Sequence, residues 1–215
     1  MLTDDLPWSE LVERAESVLS LSQTCSEAAL ERVKGLIEFL EKKCKDDPNC
    51  LPSTTEKQRL LGTKFLPVLA KPQTFPLAWK GDEMIHGNEL ALISPTQGFL
   101  RKKLYLACSS APIIDATIPP KVEELLQFRD REVTTKQVIT QLNEAVSAKS
   151  EVCGMEDVIN VCNACYRFLQ DALPIHANQI AKFFEGKKFV LVENGFVRGN
   201  QVSLSLPVPD RKSVV

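Results

Sequence analysis

The stretch from Phe65 to Gly81 restricts the fold of this chain more than any other feature of the sequence. Three prolines, at positions 67, 72 and 76, lie among apolar and aromatic side chains. Proline lacks a backbone donor and biases the preceding residue toward extended backbone, so neither a regular helix nor a regular sheet is expected. The side chains are nevertheless too apolar to remain in water. We therefore predict an extended segment that lies on a core and inserts its side chains into it.

Helical patterns occur on both sides of this stretch. Apolar residues at three- and four-residue steps predict a helix over about 7–21, a second that ends near Lys43, and a later one that ends at Pro174. Ile180 and Phe183 or Phe184 suggest one or two further helical turns before Gly186. Residues 24–27 and 134–137 have the spacing of capping boxes, which begin helices. The sequence thus predicts that helices supply most of the core.

A β-hairpin is predicted near the C-terminus. Asn194-Gly195 suits the two positive φ angles of a type I′ turn, here between Phe189 to Glu193 and Phe196 to Val197. The short run from Leu104 to Ala107 fits either a helix or a strand. These patterns predict an α+β fold, mainly helical, with extended proline-rich segments packed on the core and a small antiparallel C-terminal hairpin or sheet.

One domain is expected over residues 1–206. Its predicted parts are helical over 1–62, extended or irregular over 63–118, helical over 119–185 and a β-hairpin over 186–206, with a flexible tail at 207–215. Six apolar residues of the extended segment and the hairpin are candidate structural or interaction residues: Phe65, Leu66, Val68, Phe75, Trp79 and Phe196.

The composition excludes two classes of partner. With 26 basic and 28 acidic side chains, the formal net charge is -2, so no bulk positive field is available to bind nucleic acid. The longest apolar runs are far shorter than the roughly 20 residues that a membrane span needs.

The first residues are acidic, unlike a secretory leader, and seven cysteines, an odd number, favour a reducing compartment. A cytoplasmic location is therefore expected.

Cys162 and Cys165 form the most suggestive chemical motif. Two cysteines three positions apart can bind zinc or form a redox pair. On a helix, however, both fall on the apolar stripe of their segment, which favours buried structural cysteines. A four-ligand site would require Cys153 and His176, roughly 14 and 16 Å away along the helix at 1.5 Å per residue. The alternative hypothesis is a metal-binding or redox module centred on Cys162 and Cys165.

Other catalytic patterns are absent from the sequence. The nine glycines form neither of the glycine-rich loops that hold phosphate, so nucleotide binding is not expected. His86 and His176 are the two histidines, and no nucleophile motif can be named beside either. We expect no catalytic residue, no cofactor and no metal.

The proline-rich segment also carries a resemblance. Residues 65–72, Phe-Leu-Pro-Val-Leu-Ala-Lys-Pro, and residues 75–81, Phe-Pro-Leu-Ala-Trp-Lys-Gly, resemble repeated segments of the sacsin family of very large multidomain co-chaperones. Three further runs fit in the same order, at 104–115, 118–126 and 188–202. Ala70 replaces an expected proline, and the ATPase-like subdomain that opens each repeat in the family is absent here.

The resemblance implies a function without catalysis. It identifies the chain as a structural or protein-interaction segment of a sacsin-like cytosolic co-chaperone, or as a short sacsin-like protein. The implied partners are the heat-shock chaperone machinery or client proteins. No catalytic residue is carried over, because the matching runs belong to the linker and core portion of a repeat.

Overall fold

A computed structural model describes residues 6–46, 51–69, 90–128, 131–147, 155–192 and 195–198. Helices predominate, and the strands are short, so the predicted mainly helical α+β class is confirmed. The helices are α1 (Trp8–Thr24), α2 (Ser26–Asp46), α3 (Thr54–Gly62), α4 (Leu104–Ala107), α5 (Pro120–Leu125), α6 (Thr135–Ser147) and α7 (Met155–Phe184). The strands are β1 (Leu66–Pro67), β2 (Leu92–Ile93), β3 (Phe99–Leu100), β4 (Ile113–Ile114), β5 (Lys188–Val192) and β6 (Gly195–Arg198).

The first core is formed where α1, α2, α3 and α5 meet. Helix α1 buries Leu11, Ala15 and Val18 at helical spacing, and they pack with Leu40 of α2 and Leu60 of α3. Residue 25 alone separates α1 from α2, and its backbone is extended. Helices α1 and α2 are in contact across this sharp turn.

Two short two-stranded sheets are joined by one isolated bridge, and we call them together the central sheet. Strand β1 pairs antiparallel with β2, and β3 pairs parallel with β4. Residue Val68, directly after β1, forms an antiparallel bridge to Ile114 of β4. The Leu69 amide donates to Ile113 O at 2.7 Å, and the Asp115 amide donates to Pro67 O at 2.8 Å. The bridge and these two hydrogen bonds place the β1–β2 pair beside the β3–β4 pair.

The second core is formed by α4, α6 and α7 with the C-terminal hairpin. Helix α6 begins with a capping box as predicted: Thr134 Oγ1 accepts from the Gln137 amide at 3.3 Å, and Gln137 Oε1 accepts from the Thr134 amide at 2.9 Å. The run from Leu104 to Ala107, which the sequence left open, is the helix α4.

One expectation about the C-terminal part was wrong, and another was close to the structure. The helix expected to close at Pro174 and the further turn or two expected before Gly186 form one element, α7, which kinks at His176, where φ is -118° and ψ is 23°, and then continues to Phe184. In the hairpin, Val192 pairs with Gly195, so Gly195 lies in β6 and not in the turn. The residues between the strands, Glu193 and Asn194, lie outside the described ranges, as do the predicted continuation of the sheet and the tail at 207–215.

Among the helices that the structure describes, none combines the length and the apolar character that crossing a bilayer requires.

Candidate functional site

The described part of the proline-rich segment joins the two cores. Phe65, Leu66 and Val68 are buried in the first core, with exposed fractions of 0, 0 and 6%, whereas Leu69 packs against the second core. Hydrogen bonds to β2 and β4 satisfy the backbone between them. These three candidate residues are therefore inaccessible to a partner in the folded chain.

The other three candidate residues differ in what the structure says of them. Phe75 and Trp79 lie outside the described ranges, so their predicted anchoring stays a prediction. Phe196 pairs with Leu191 in the hairpin and packs, half-buried, against the second core.

The paired cysteines of α7 are buried in the second core. Cys162 and Cys165 are 1% and 0% exposed, and the Cys165 thiol donates a weak hydrogen bond to Tyr105 O at 3.7 Å. Burial raises the pKa of the Cys162 thiol to about 11 and raises that of Cys165 still further. Since the thiolate is the reactive form, both side chains are held in their unreactive state at neutral pH.

Metal ligands do not converge in the described part of the chain. No group of three or more His, Cys, Asp or Glu residues there could hold a metal ion. Cys153 and His86 lie outside the described residues, and His176 is exposed at the kink of α7.

A polar contact beside these cysteines was not foreseen from the sequence. Gln141 of α6 is completely buried; its Oε1 accepts from the Ser109 amide at 2.8 Å, and its Nε2 donates to the Cys108 thiol at 3.1 Å. Burial raises the pKa of Cys108 to about 12. Gln141 thus provides a hydrogen-bond acceptor for the backbone amide of Ser109, just after α4. The sequence did not indicate this contact, because one glutamine in an amphipathic helix is ordinarily expected to face solvent.

Tyr166 fastens the hairpin to α7. Its hydroxyl donates to Phe189 O and accepts from the Leu191 amide at 3.1 Å. The Tyr166 side chain thereby forms hydrogen bonds with backbone groups at one edge of β5. Another strand could otherwise pair with these groups.

The basic run at 101–103 is engaged within the chain. Arg101 lies 3.7 Å from Asp115, Lys102 lies 2.6 Å from Glu123, and Lys103 lies 3.9 Å from Glu132. These pairs are largely exposed and contribute little to stability, but they leave the run with less charge to offer an acidic partner.

One cavity in the described part of the chain is a groove between the end of α2, α3 and α5. Its volume is about 610 Å³, within the range of roughly 300 to 1,000 Å³ typical of ligand sites. We call it the α3 groove and define it by its lining residues: Trp8, Cys44, Leu51, Pro52, Thr54, Lys57, Gln58, Leu61, Lys121, Glu124, Leu125 and Gln127. Trp8, Leu61 and Leu125 are buried, whereas Gln58, Lys121 and Gln127 are exposed.

The α3 groove combines an apolar interior with a mainly basic rim. Lys57 is half-buried and forms no side-chain hydrogen bond or ion pair within the described residues. Lys121 donates to Cys44 O at 3.1 Å, and Lys43 lies over the Trp8 ring at 5.8 Å. The sequence could not reveal this groove, because its lining comes from three regions that are distant along the chain: position 8, residues 44–61 and residues 121–127.

Comparison with known proteins shows a sequence similarity to sacsin. The chain is 28% identical to human sacsin over 221 aligned residues, which include 96% of this chain and 5% of sacsin. The chain is therefore similar to a short segment of sacsin along nearly its whole length. No protein-family model matches the chain, and no solved structure matches it.

Proposed function

We propose that this chain is a non-enzymatic structural and protein-interaction segment of a sacsin-like co-chaperone that acts in the cytoplasm. The observation that carries the proposal is the similarity to sacsin over 96% of the chain. The chain spans 5% of sacsin's length. A co-chaperone role, which belongs to the whole of sacsin, is therefore part of the proposal for this chain.

The buried chemistry supports a role without catalysis. Three thiols, those of Cys108, Cys162 and Cys165, are buried, and burial raises the pKa of each. A nucleophile or a redox pair requires the opposite: an accessible thiol with a lowered pKa. His176 is exposed and makes no side-chain hydrogen bond within the described residues, so nothing there orients its ring as a base would require.

The connection between the two cores supports a structural role. The chain from Phe65 to Leu69 places side chains in both cores and is hydrogen-bonded on both edges. A domain built in this way holds its surface helices in fixed relative positions, which is what a protein-interaction segment needs in order to present a constant surface. Heat-shock chaperones or their clients are the partners that the resemblance suggests.

Proximity labelling in cells tests this proposal. A labelling enzyme fused to this chain should mark a defined set of chaperone or client proteins. That set should be lost in a Phe65→Asp variant, because a carboxylate in the first core prevents folding and the unfolded chain meets general quality-control chaperones instead. Identical labelling by the two fusions would contradict an interaction that depends on the folded segment.

Two biochemical measurements test the absence of catalysis. Calorimetry with magnesium-ATP should show no heat of binding, and elemental analysis of the purified chain should show no bound zinc. Micromolar ATP binding would favour an ATP-handling module. Near one equivalent of zinc would favour the metal or redox alternative at Cys162 and Cys165.

A further inference from the structure

We propose that the α3 groove binds an extended peptide segment of a partner protein that places an apolar side chain next to a carboxylate. This inference rests on the proposed function, since it specifies the chemistry of a partner for an interaction segment. The apolar side chain would enter between Trp8, Leu61 and Leu125, and the carboxylate would meet Lys57 at the rim.

The charges of the groove determine the sign of the partner. Among the described residues, Lys57 and Lys121 line it together with a single acid, Glu124, and Lys43 lies over the Trp8 ring that forms part of its wall. A basic rim around an apolar interior favours an acidic segment and disfavours a basic one. Lys57 is the best placed of these lysines, because it is half-buried, forms no ion pair in the described part of the chain and keeps all its donors available.

The backbone conformation of Gln127 is a second observation that favours a binding role for this rim. Gln127 has a φ of 60°, the left-handed conformation in which glycine is ordinarily found at the end of a helix. Its amide bonds to Glu124 O, and the Phe128 amide bonds to Glu123 O, which is the pattern of a Schellman motif closing α5. The backbone at position 127 is therefore strained where a glycine would not be, and the residue there carries a side-chain amide at the groove. That amide can hydrogen-bond the backbone of an extended peptide.

Leu51 gives the groove an exposed apolar end. Its exposed fraction is 68%, the second highest among the large apolar residues that the structure describes as exposed. Located beside Pro52 at the groove, it would be covered by the same peptide whose carboxylate meets Lys57.

Peptide selection on the complete 215-residue chain tests the proposal. From a random peptide library displayed on phage, we expect sequences with a bulky apolar residue beside Asp or Glu. The synthetic form of a selected peptide should bind Lys57→Glu about tenfold more weakly than the unchanged chain. Lys64→Glu, the same change at an exposed lysine that does not line the groove, should bind within about twofold of it.

A second matched pair tests the apolar contact. Leu51→Ser should weaken binding of the same peptide, whereas Leu19→Ser, at an exposed leucine of α1 away from the groove, should not. Both leucines are exposed, so neither change empties a core and both variants are expected to fold.

The cysteines provide a readout that needs no substitution. Cys44 lines the groove and is half-buried, whereas Cys25 is exposed and lies elsewhere. Bound peptide should slow alkylation of Cys44 by iodoacetamide, measured by mass spectrometry, and leave alkylation of Cys25 unchanged.

Three results would overturn the assignment of the groove. They are selected sequences that lack acidic residues, equal affinity for the variants at positions 57 and 64, and unprotected Cys44 in the saturated complex. Each leaves the proximity-labelling result intact, so the interaction role would then depend on another surface. Conversely, peptide binding that follows these expectations, combined with labelling that is the same for the folded and unfolded fusions, would overturn the proposed function alone.

Discussion

Gly98 offers the sharpest test of how the central sheet holds the two cores together. A Cβ atom placed on it would lie 2.3 Å from Ile93 Cδ1, 3.1 Å from Ile114 Cγ1 and 3.2 Å from Pro112 O. Carbon atoms in good contact are about 3.5 to 4.0 Å apart, so the methyl group of Gly98→Ala would overlap side chains from β2 and β4 at once. Ile93 and Ile114 are both 0% exposed and cannot swing into solvent.

The magnitude follows from the mechanism of overpacking. Adding a methyl group to a closely packed interior typically costs about 1 to 3 kcal/mol. Ile93→Val removes the atom that makes the worst contact, and by itself costs about 0.5 to 1.5 kcal/mol for the lost packing. The double variant should therefore lose less stability than the sum of the two single variants, with a coupling of about 1 kcal/mol. Urea denaturation followed by circular dichroism measures all three free energies of unfolding.

The matched control is Gly35→Ala in the interior of α2. A Cβ atom there would meet nothing within 4 Å, and alanine is the better helix former by about 0.5 to 1 kcal/mol. The same chemical change should hence destabilise at position 98 and stabilise at position 35. Additive free energies in the Gly98/Ile93 double variant would refute the steric argument, as would a Gly98→Ala chain as stable as the original.

Further predictions concern α5, the hairpin and the buried thiols. Gln127→Gly should stabilise the chain by about 0.5 to 1 kcal/mol, because glycine releases the left-handed strain; Gln127→Ala keeps its Cβ and should not, and equal urea midpoints for the two would contradict this. Tyr166→Phe should cost about 1 to 3 kcal/mol and speed hydrogen exchange of the Leu191 amide, which loses its acceptor; unchanged exchange would show that the clamp is dispensable. In the native state Cys162 should react with thiol reagents far more slowly than exposed Cys25. Burial raises the pKa of Cys162 from 9.0 to about 11, so its contribution to stability is complete below about pH 9 and is lost as the pH rises toward 11. The stability of Cys162→Ala should decline less steeply across that range, and parallel decline would exclude this thiol as a cause.

Local rules predicted what depends on neighbours in sequence. The stripes of α1 and α2, the capping box at Thr134 and the existence of the hairpin follow from periodicity and side-chain spacing, and all are present. The box expected at 24–27 is not formed by Thr24, whose hydroxyl instead donates to Leu21 O inside α1. The spacing of a motif indicates that a cap is possible. Whether the cap forms depends on whether its first residue, here Thr24, still belongs to the preceding helix.

Tertiary contacts decide how the local preferences of the C-terminal part combine. Pro174 removes one helical hydrogen bond, but Ile180 beyond it is buried in the second core, and this burial favours resuming the helix after a kink, in the region where the sequence suggests a further turn or two. The prediction for the hairpin turn was wrong: the Asn-Gly pair favours a turn that includes Gly195, yet the register of β5 and β6 places Gly195 opposite Val192. A bulge between Lys188 and Val190 shifts the pairing at the other end of the hairpin, away from the turn.

The described residues of the proline-rich segment and the residues that line the α3 groove are different sets. Phe65, Leu66 and Val68 have 0, 0 and 6% of their surface exposed. Packing between the two cores, and not recognition of a partner, therefore determines which side chains fit at these positions. A surface that distinguishes partners must have accessible side chains, and the α3 groove takes most of its lining from residues before the proline-rich segment. A segment related to this one could therefore keep the same central sheet and bind a different peptide, by changing side chains such as Lys57 and Leu51 that the fold does not require. Exchanging those two residues between related segments should transfer peptide preference while leaving the free energy of unfolding nearly unchanged, because exposed substitutions ordinarily alter it by about 0.5 kcal/mol or less.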